Sequence, residues 1–396
     1  MRLALVSREF PPTRQASGIA TYTEKTARAL AAAGNEVHVF SEAHPAAPRD
    51  EWRDGVRIHR LADPGTRPRE ARFLRRSLDV ALALRRQGPF DLVQACEWEG
   101  EAAVYSRLGD APLVTRLATP RYVVEELNGE PAAVRRRSTV VRALEKWQTR
   151  FSRLVISPSS SLADIVARDW HLDRGRVLVV PTGIELPLPG ADGELPAGIE
   201  AGSYVLYFGR LEVRKGVKTW LDALPSVLTQ NPGLQAVFAG DDLGFAGTPF
   251  REYGRTQAGP LAGRLHFLPR LPQSQLFPLI RGARLVVLPS RWESLANACL
   301  EAMALGRAVV ATCGSGFAEV IEDGCTGWLV PPDDCPALAA AVNAALGDPE
   351  RLRAAGEAAR RRAEEYSLNR AVDHLLGHYR DLVKVTGAPL SGTSPV

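Results

Sequence analysis

Short apolar runs that end in a turn and lead into a stretch of helical periodicity recur along the whole chain, and this alternation limits the fold more than any other feature. Residues 2–7 form one such run, a turn-rich loop from Glu9 to Gly18 follows, a helix is expected from about Ile19 to Ala33, and residues 36–40 are the next run. Strand, loop, helix and strand at this spacing make a βαβ unit, so the strands lie parallel in an α/β sheet. The pattern continues through residues 56–60, 91–95, 112–118, 154–158 and 177–181. It starts again at 204–208 and runs through 235–240, 265–269, 285–288 and 308–312. Between the two series, residues 184–202 are rich in Pro, Gly and acids and carry no periodicity, which marks a linker.

A chain of 396 residues exceeds what one core usually covers, so two domains are expected. The first takes residues 1–183 plus a terminal helix at 366–386, the second takes residues 203–365, and residues 387–396 read as a disordered tail. With 45% hydrophobic and 24% charged residues the composition is that of an ordinary globular protein. Five cysteines, odd in number and without Cys-x-x-Cys spacing, fit a reduced cytoplasmic protein with neither disulfides nor a zinc site. The apolar run at the N-terminus is too short for a signal peptide, and no window approaches a membrane span. Charge is uneven: residues 1–183 hold 29 Lys and Arg against 22 Asp and Glu, whereas the remainder holds 20 against 23. A basic first half suits an acidic acceptor or an anionic membrane surface, as it also suits a solvated face.

Two stretches carry the chemistry. Gly209-Arg210-Leu-Glu-Val-Arg214-Lys215-Gly216 follows an apolar strand and enters a helix, and cations between glycines at a strand end suit a diphosphate. It is not a Walker loop, because Gly216 is not followed by Lys-Ser/Thr. Pro289–Gly306 is the second stretch: a turn with Glu293, Ser294 as the expected N-cap, a helix bearing Glu301, and Gly306 as its stop. Free backbone N–H groups and the helix dipole favour an anionic or hydroxylated ligand there. Cys313–Glu319 has the look of a dinucleotide loop but lacks its third glycine, Glu319 standing in that place, so a nicotinamide cofactor is not expected.

Glu293 and Glu301, eight residues apart within Glu-Ser-Leu-Ala-Asn-Ala-Cys-Leu-Glu, resemble the paired-glutamate motif of retaining glycosyltransferases of family 4, and Gly209–Gly216 resembles that family's Gly-Arg…Lys-Gly loop. The resemblance implies a GT-B fold, two doubly wound Rossmann-like domains facing across a cleft with a C-terminal helix crossing back to the first. It implies transfer of a sugar from a nucleotide-diphosphate sugar, the co-substrate, to a hydroxyl acceptor on a glycan, a lipid or a small molecule, with retained anomeric configuration. Arg210 and Lys215 would neutralise the leaving diphosphate and Glu293 would hold hydroxyls of the donor sugar. Gly18, Gly209, Arg270, Ser294, Leu295, Ala296, Asn297 and Glu301 would complete the donor site, with Glu301 on the ribose and the backbone of residues 268–271 at the base. No Asp-x-Asp signature occurs, so no metal and no further cofactor is expected.

Ala118 is a departure: relatives often carry a histidine there, facing the donor sugar near its 6-hydroxyl. Three accounts remain open, namely a donor lacking that hydroxyl, another residue in the role, or a weakened enzyme. A phosphorylase using inorganic phosphate and a binding-only homologue are the rival functions. Glu97, Trp98, Glu99 and Arg121, at and beyond a strand's carboxyl end, are candidate acceptor contacts. Residues 131–151 read as one basic amphipathic helix with Val140, Leu144, Trp147 and Phe151 along one side; packing of that side on the core is expected, with anionic lipid at the inner membrane face as the alternative.

Overall fold

The computed structural model describes residues 1–12, 18–65, 69–186, 193–295 and 297–386. The chain divides into two compact units, Met1–Gly183 with the segment from Leu368 onward, and Ile184–Ser367. The expected disordered tail, 387–396, and part of the linker, 187–192, lie outside the described residues.

The first unit holds an eight-stranded sheet of β1 (Arg2–Val6), β2 (Glu36–Glu42), β3 (Asp50–Arg53), β4 (Val56–Leu61), β5 (Leu92–Cys96), β6 (Leu113–Arg116), β7 (Leu154–Ser157) and β8 (Val177–Val179), in the spatial order β3-β4-β2-β1-β5-β6-β7-β8. All neighbours are parallel except β3 and β4. The mostly polar tetrapeptide of β3 is not among the apolar runs of the sequence; its side chains are tied to its partner strand, Asp50 bonding His59 at 2.7 Å and Glu51 bonding Arg60 at 2.8 Å.

The second unit holds β9 (Tyr204–Phe208), β10 (Gln235–Ala239), β11 (Leu265–Leu268), β12 (Leu285–Leu288), β13 (Val309–Thr312) and β14 (Gly327–Val330), all parallel, in the order β11-β10-β9-β12-β13-β14. Every residue of β9 is buried because helices cover both faces: Tyr204, Leu206 and Phe208 join one core, Val205 and Tyr207 the other. In the first unit β1 does the same, Leu3 and Leu5 facing one core and Ala4 and Val6 the other.

Among the parallel strands both orders reverse once, at β1/β5 and at β9/β12. Loops leaving adjacent strands at such a point turn to opposite faces of the sheet, and the crevice between them at the carboxyl ends is where open α/β sheets take ligands. The terminal helix, Leu368–Thr386, belongs to the first unit: Val372, Leu375, Leu376, Tyr379 and Val383 form a buried stripe, and the Tyr379 hydroxyl donates to Gln94. The helix expected over 131–151 is two helices, Ala132–Arg137 and Thr139–Phe151, parted at the buried Ser138, whose hydroxyl donates to Glu125 at 3.0 Å.

Candidate functional site

At the β9/β12 reversal three loops meet through bare backbone. Gly216 has φ 66°, and a Cβ there would lie 1.8 Å from the Pro289 carbonyl oxygen, so only glycine lets the loop after β9 touch the one after β12. The Arg291 amide donates to the Arg214 carbonyl at 2.9 Å and fastens the same pair. From β13, Gly316 comes so close that its Cβ would stand 2.1 Å from the Ser294 oxygen, and its amide donates to the Glu293 carbonyl at 2.9 Å. Beneath the first loop, the buried Tyr207 hydroxyl donates to the Arg210 carbonyl at 2.7 Å.

Those contacts assemble an alternating charge cluster. Lys215 donates to Glu293 Oε1, Arg214 Nη1 lies 3.7 Å from the same oxygen, and Arg214 Nη2 bonds Glu212 at 2.8 Å. Arg210 reaches Glu212 at 3.2 Å but is more than half exposed. Burial alone would push the Glu293 carboxyl up; Lys215 and Arg214 outweigh it and hold the group below its usual range. Burial, reinforced by Arg214, draws the Lys215 ammonium down against the pull of Glu293. Three cations face two carboxylates, so the cluster carries one positive charge in excess, with Arg210 as its outward member. The sequence points to Arg210, Lys215 and Glu293; it does not single out Glu212 and the buried Arg214, whose place inside shows only in the buried Leu211 beside them.

Ser294 is not the N-cap expected of it. The helix runs Asn297–Ala304, later than the sequence suggests, and residues 293 and 294 ahead of it are pinned by Gly316. Leu295 is buried, Asn297 is the first helical residue, Glu301 is half-buried on the helix body, and Ala296 lies outside the described residues. Gly306 does stop this helix, at φ 71° with its amide on Met303 O. Arg270 stands exposed beyond β11, and Gly209 leaves β9 at φ 129°.

The β1/β5 reversal in the first unit carries its own cluster. Glu97 is fully buried, and both its oxygens accept the Ala118 amide, at 2.9 and 2.8 Å, so this side chain shapes the loop after β6 rather than the surface. Glu99 adopts φ 64°, a strained value for a residue with a Cβ, and pairs with Arg8 at 2.5 Å and Arg121 at 3.2 Å. The Arg121 guanidinium lies 4.6 Å above the Trp98 ring. Trp98, Glu99 and Arg121 therefore converge, with Glu97 beneath them. Sequence inspection misses Glu145, buried on a later helix, which accepts the Glu99 amide at 3.1 Å and the Arg121 amide at 3.0 Å. Burial raises Glu97 to about 7 despite the Ala118 amide, and burial together with the Glu97 charge raises Glu145 to about 8. Gly18 opens the helix Gly18–Ala32 behind β1, and a Cβ there would meet no described atom within 4 Å.

Residues 16–187 match the family described as Glycosyltransferase Family 4, and residues 198–362 match Glycosyl transferases group 1. Over 303 residues the chain is 32% identical to the alpha-D-kanosaminyltransferase of Streptomyces kanamyceticus, spanning 72% of this chain and 76% of that protein. The chain belongs to glycosyltransferase family 4. This family-4 member is also 30% identical to D-inositol 3-phosphate glycosyltransferase 1 of Catenulispora acidiphila, across 97% of this chain and 96% of the relative. Among solved structures, sucrose-phosphate synthase from Thermosynechococcus elongatus matches with a TM-score of 0.81 at 26% identity, covering 97% and 99% of the two chains. The enzyme is thus a glycosyltransferase of GT-B fold. Among its described residues no helix is long and apolar enough to cross a membrane, and no group of three or more His, Cys, Asp or Glu is placed to hold a metal ion.

Proposed function

We propose that this glycosyltransferase moves a sugar from a nucleotide-diphosphate sugar to a hydroxyl acceptor, with retained anomeric configuration and without a metal ion. The observation that carries the reading is the Lys215–Glu293 ion pair, held by bare backbone contacts at the carboxyl ends of β9 and β12 beside the outward Arg210. The bond from the anomeric carbon to the diphosphate oxygen breaks, and the departing oxygens accumulate charge. Lys215, held in place beforehand by Glu293, and the outward Arg210 meet that charge, so the transition state needs little reorganisation around the leaving group. Glu293, relieved of part of its pairing as the anion draws on Lys215, accepts hydroxyls of the sugar, while Glu301 takes the ribose and the chain at Arg270 flanks the base.

The acceptor oxygen bonds to the anomeric carbon on the face the diphosphate leaves, and its proton passes to the released diphosphate. Trp98, Glu99 and Arg121 offer a ring face, a carboxylate and a guanidinium for a polar or anionic acceptor. Two relatives whose names carry a phosphorylated molecule, the inositol 3-phosphate glycosyltransferase and the sucrose-phosphate synthase, support an anionic acceptor in this reading.

The test is a panel of nucleotide sugars with and without hydroxyl acceptors, with chelator in parallel, and NMR of the product's anomeric centre. Acceptor-dependent nucleotide release, an anomeric configuration equal to the donor's, and turnover unaltered by chelator are expected. Inversion, loss of turnover on chelation, or sugar phosphate formed from inorganic phosphate alone each overturns the corresponding part.

A further inference from the structure

The helix Thr139–Phe151 is built inside out. Its polar residues Glu145, Gln148 and Thr149 are fully buried, whereas Val140, Trp147 and Phe151 face solvent, Trp147 with 48% of its surface exposed. The inward polar groups are all used: Glu145 holds the Glu99 and Arg121 amides, Gln148 accepts from the Ala102 amide and donates to the Cys96 carbonyl at 2.8 Å each, and Thr149 donates to the Glu145 carbonyl. Supporting the β5 loop claims the polar side of the helix, and the apolar side is left outward. The expectation that Val140, Trp147 and Phe151 pack on the core fails for this reason; Leu144 alone turns in, against Gly100.

Two neighbouring helices extend the same face. Arg69–Gln87 exposes Leu74, Leu78 and Leu82, four residues apart and so in one line, and Tyr105–Leu108 ends in a Leu108 that is 64% exposed. The three helices pack against one another. Arg107 lies 4.6 Å above the Phe151 ring, and that ring lies 4.5 Å from Trp147. An outward apolar group of this extent on a soluble protein marks a contact surface.

Its border decides the partner. Exposed Arg85, Arg107 and Arg150 lie on these same three helices, Arg107 over the Phe151 ring, and the exposed run Arg135–Arg137 ends the helix just before Thr139–Phe151. Among the described acids here, Asp79 is paired with Arg75 at 3.0 Å, Glu145 is buried, and Asp110, just past Leu108, lies 3.9 Å from Arg85, so they leave the other arginines in excess. A second copy of the chain would bring arginines against arginines. We propose that this face docks on a bilayer containing anionic phospholipid, Trp147, Phe151 and the leucine line entering the headgroup boundary while the arginines pair with phosphates. Because Glu145 and Gln148 hold the β5 loop from the same helix, docking presents Trp98, Glu99 and Arg121 near the membrane, which rests on the acceptor role proposed for them and makes a lipid-borne acceptor the fitting substrate.

Vesicle flotation tests this, with phosphatidylcholine alone and mixed with phosphatidylglycerol, at low and high salt. The protein should float with the mixed vesicles about tenfold more than with the neutral ones. Trp147→Ser/Phe151→Ser and, separately, Leu78→Ser/Leu82→Ser should each cut that binding about tenfold with the unfolding midpoint and nucleotide-sugar affinity unchanged. Arg135→Gln/Arg136→Gln/Arg137→Gln should weaken it and flatten its salt dependence. Equal flotation with both vesicle types, none with either, or binding untouched by both apolar pairs would overturn the proposal. So would light scattering that finds a dimer which Trp147→Ser/Phe151→Ser splits. Nucleotide-sugar affinity separates the outcomes: its absence in the parent protein would count against the proposed reaction and leave the docking result standing.

Discussion

Lys215 and Glu293 lie 78 positions apart in the chain and share one partly buried ion pair where the loops after β9 and β12 touch. The pair fixes both groups in place, and it sets what each is worth when its partner is removed.

Lys215→Ala should lower kcat about a hundredfold, since the fixed cation acts on charge that exists only as the diphosphate leaves. It should also cost about 2 kcal/mol of stability, because Glu293 then keeps only the more distant Arg214, at 3.7 Å, as a charged partner, with Ser290 as a neutral one, to offset its burial. Lys215→Ala/Glu293→Gln should regain most of that stability and none of the turnover. Urea unfolding and steady-state kinetics on the three proteins check both halves; a double variant that recovers activity would remove Lys215 from the leaving-group role.

Gly216 and Gly18 make opposite predictions from the same kind of change. A Cβ on Gly216 runs into the Pro289 carbonyl and forces φ 66° on a residue that disfavours it, so Gly216→Ala should destabilise by about 3 kcal/mol. Gly18 has open space where its Cβ would go, so Gly18→Ala should unfold at the parent's midpoint. If a donor phosphate approaches that helix start, kcat/KM should nonetheless fall about tenfold. Calorimetry alongside donor-dependent kinetics decides, and unchanged kinetics in Gly18→Ala would clear it from the donor site.

How far the sequence discloses this molecule follows from the range of the forces involved. Strand runs and the two βαβ series are local patterns of burial and periodicity, and they locate the sheets and the glycines that stop helices, such as Gly306. Contacts made at long range leave little local trace. Nothing in residues 139–151 alone says that Glu145 will serve the β5 loop and so turn Trp147 outward. Nothing near Ser294 says that Gly316, from the loop after β13, will pin residues 293 and 294 ahead of the helix. The strand β3 is of the same kind, a mostly polar segment tied to His59 and Arg60 of its neighbour. The Glu-pair and the Arg/Lys loop are legible because their chemistry is carried by residues near one another in the chain.

Stability should fall as pH rises, on account of Glu145 and Glu97. Folding moves these carboxyls from an ordinary 4.5 to about 8 and about 7, burial being the main cause in both. Between those values the folded protein keeps protons that the unfolded chain gives up, so their contribution is full below about pH 4.5 and is lost as pH climbs through 8. Glu145→Gln removes the more strongly raised of the two. Relative to the parent, the variant should gain about 1 kcal/mol or more between about pH 5 and pH 9 in urea unfolding. Parallel pH profiles for the two proteins would mean that Glu145 is ionised throughout.

Ala118 offers a test of donor choice. Its amide is clamped by both oxygens of Glu97, so the position of its Cβ is set by a buried group and a larger side chain there extends from a fixed point. Ala118→His adds a donor or acceptor where only a methyl stands, and one hydrogen bond to the sugar's 6-hydroxyl is worth about 1.4 kcal/mol. In competition between a nucleotide sugar and its 6-deoxy analogue, the substitution should shift the ratio of kcat/KM about tenfold toward the 6-hydroxyl donor, whichever of the two the parent prefers. An unmoved ratio would place residue 118 away from that end of the sugar, and the donor's 6-position would then have to be read by some other side chain.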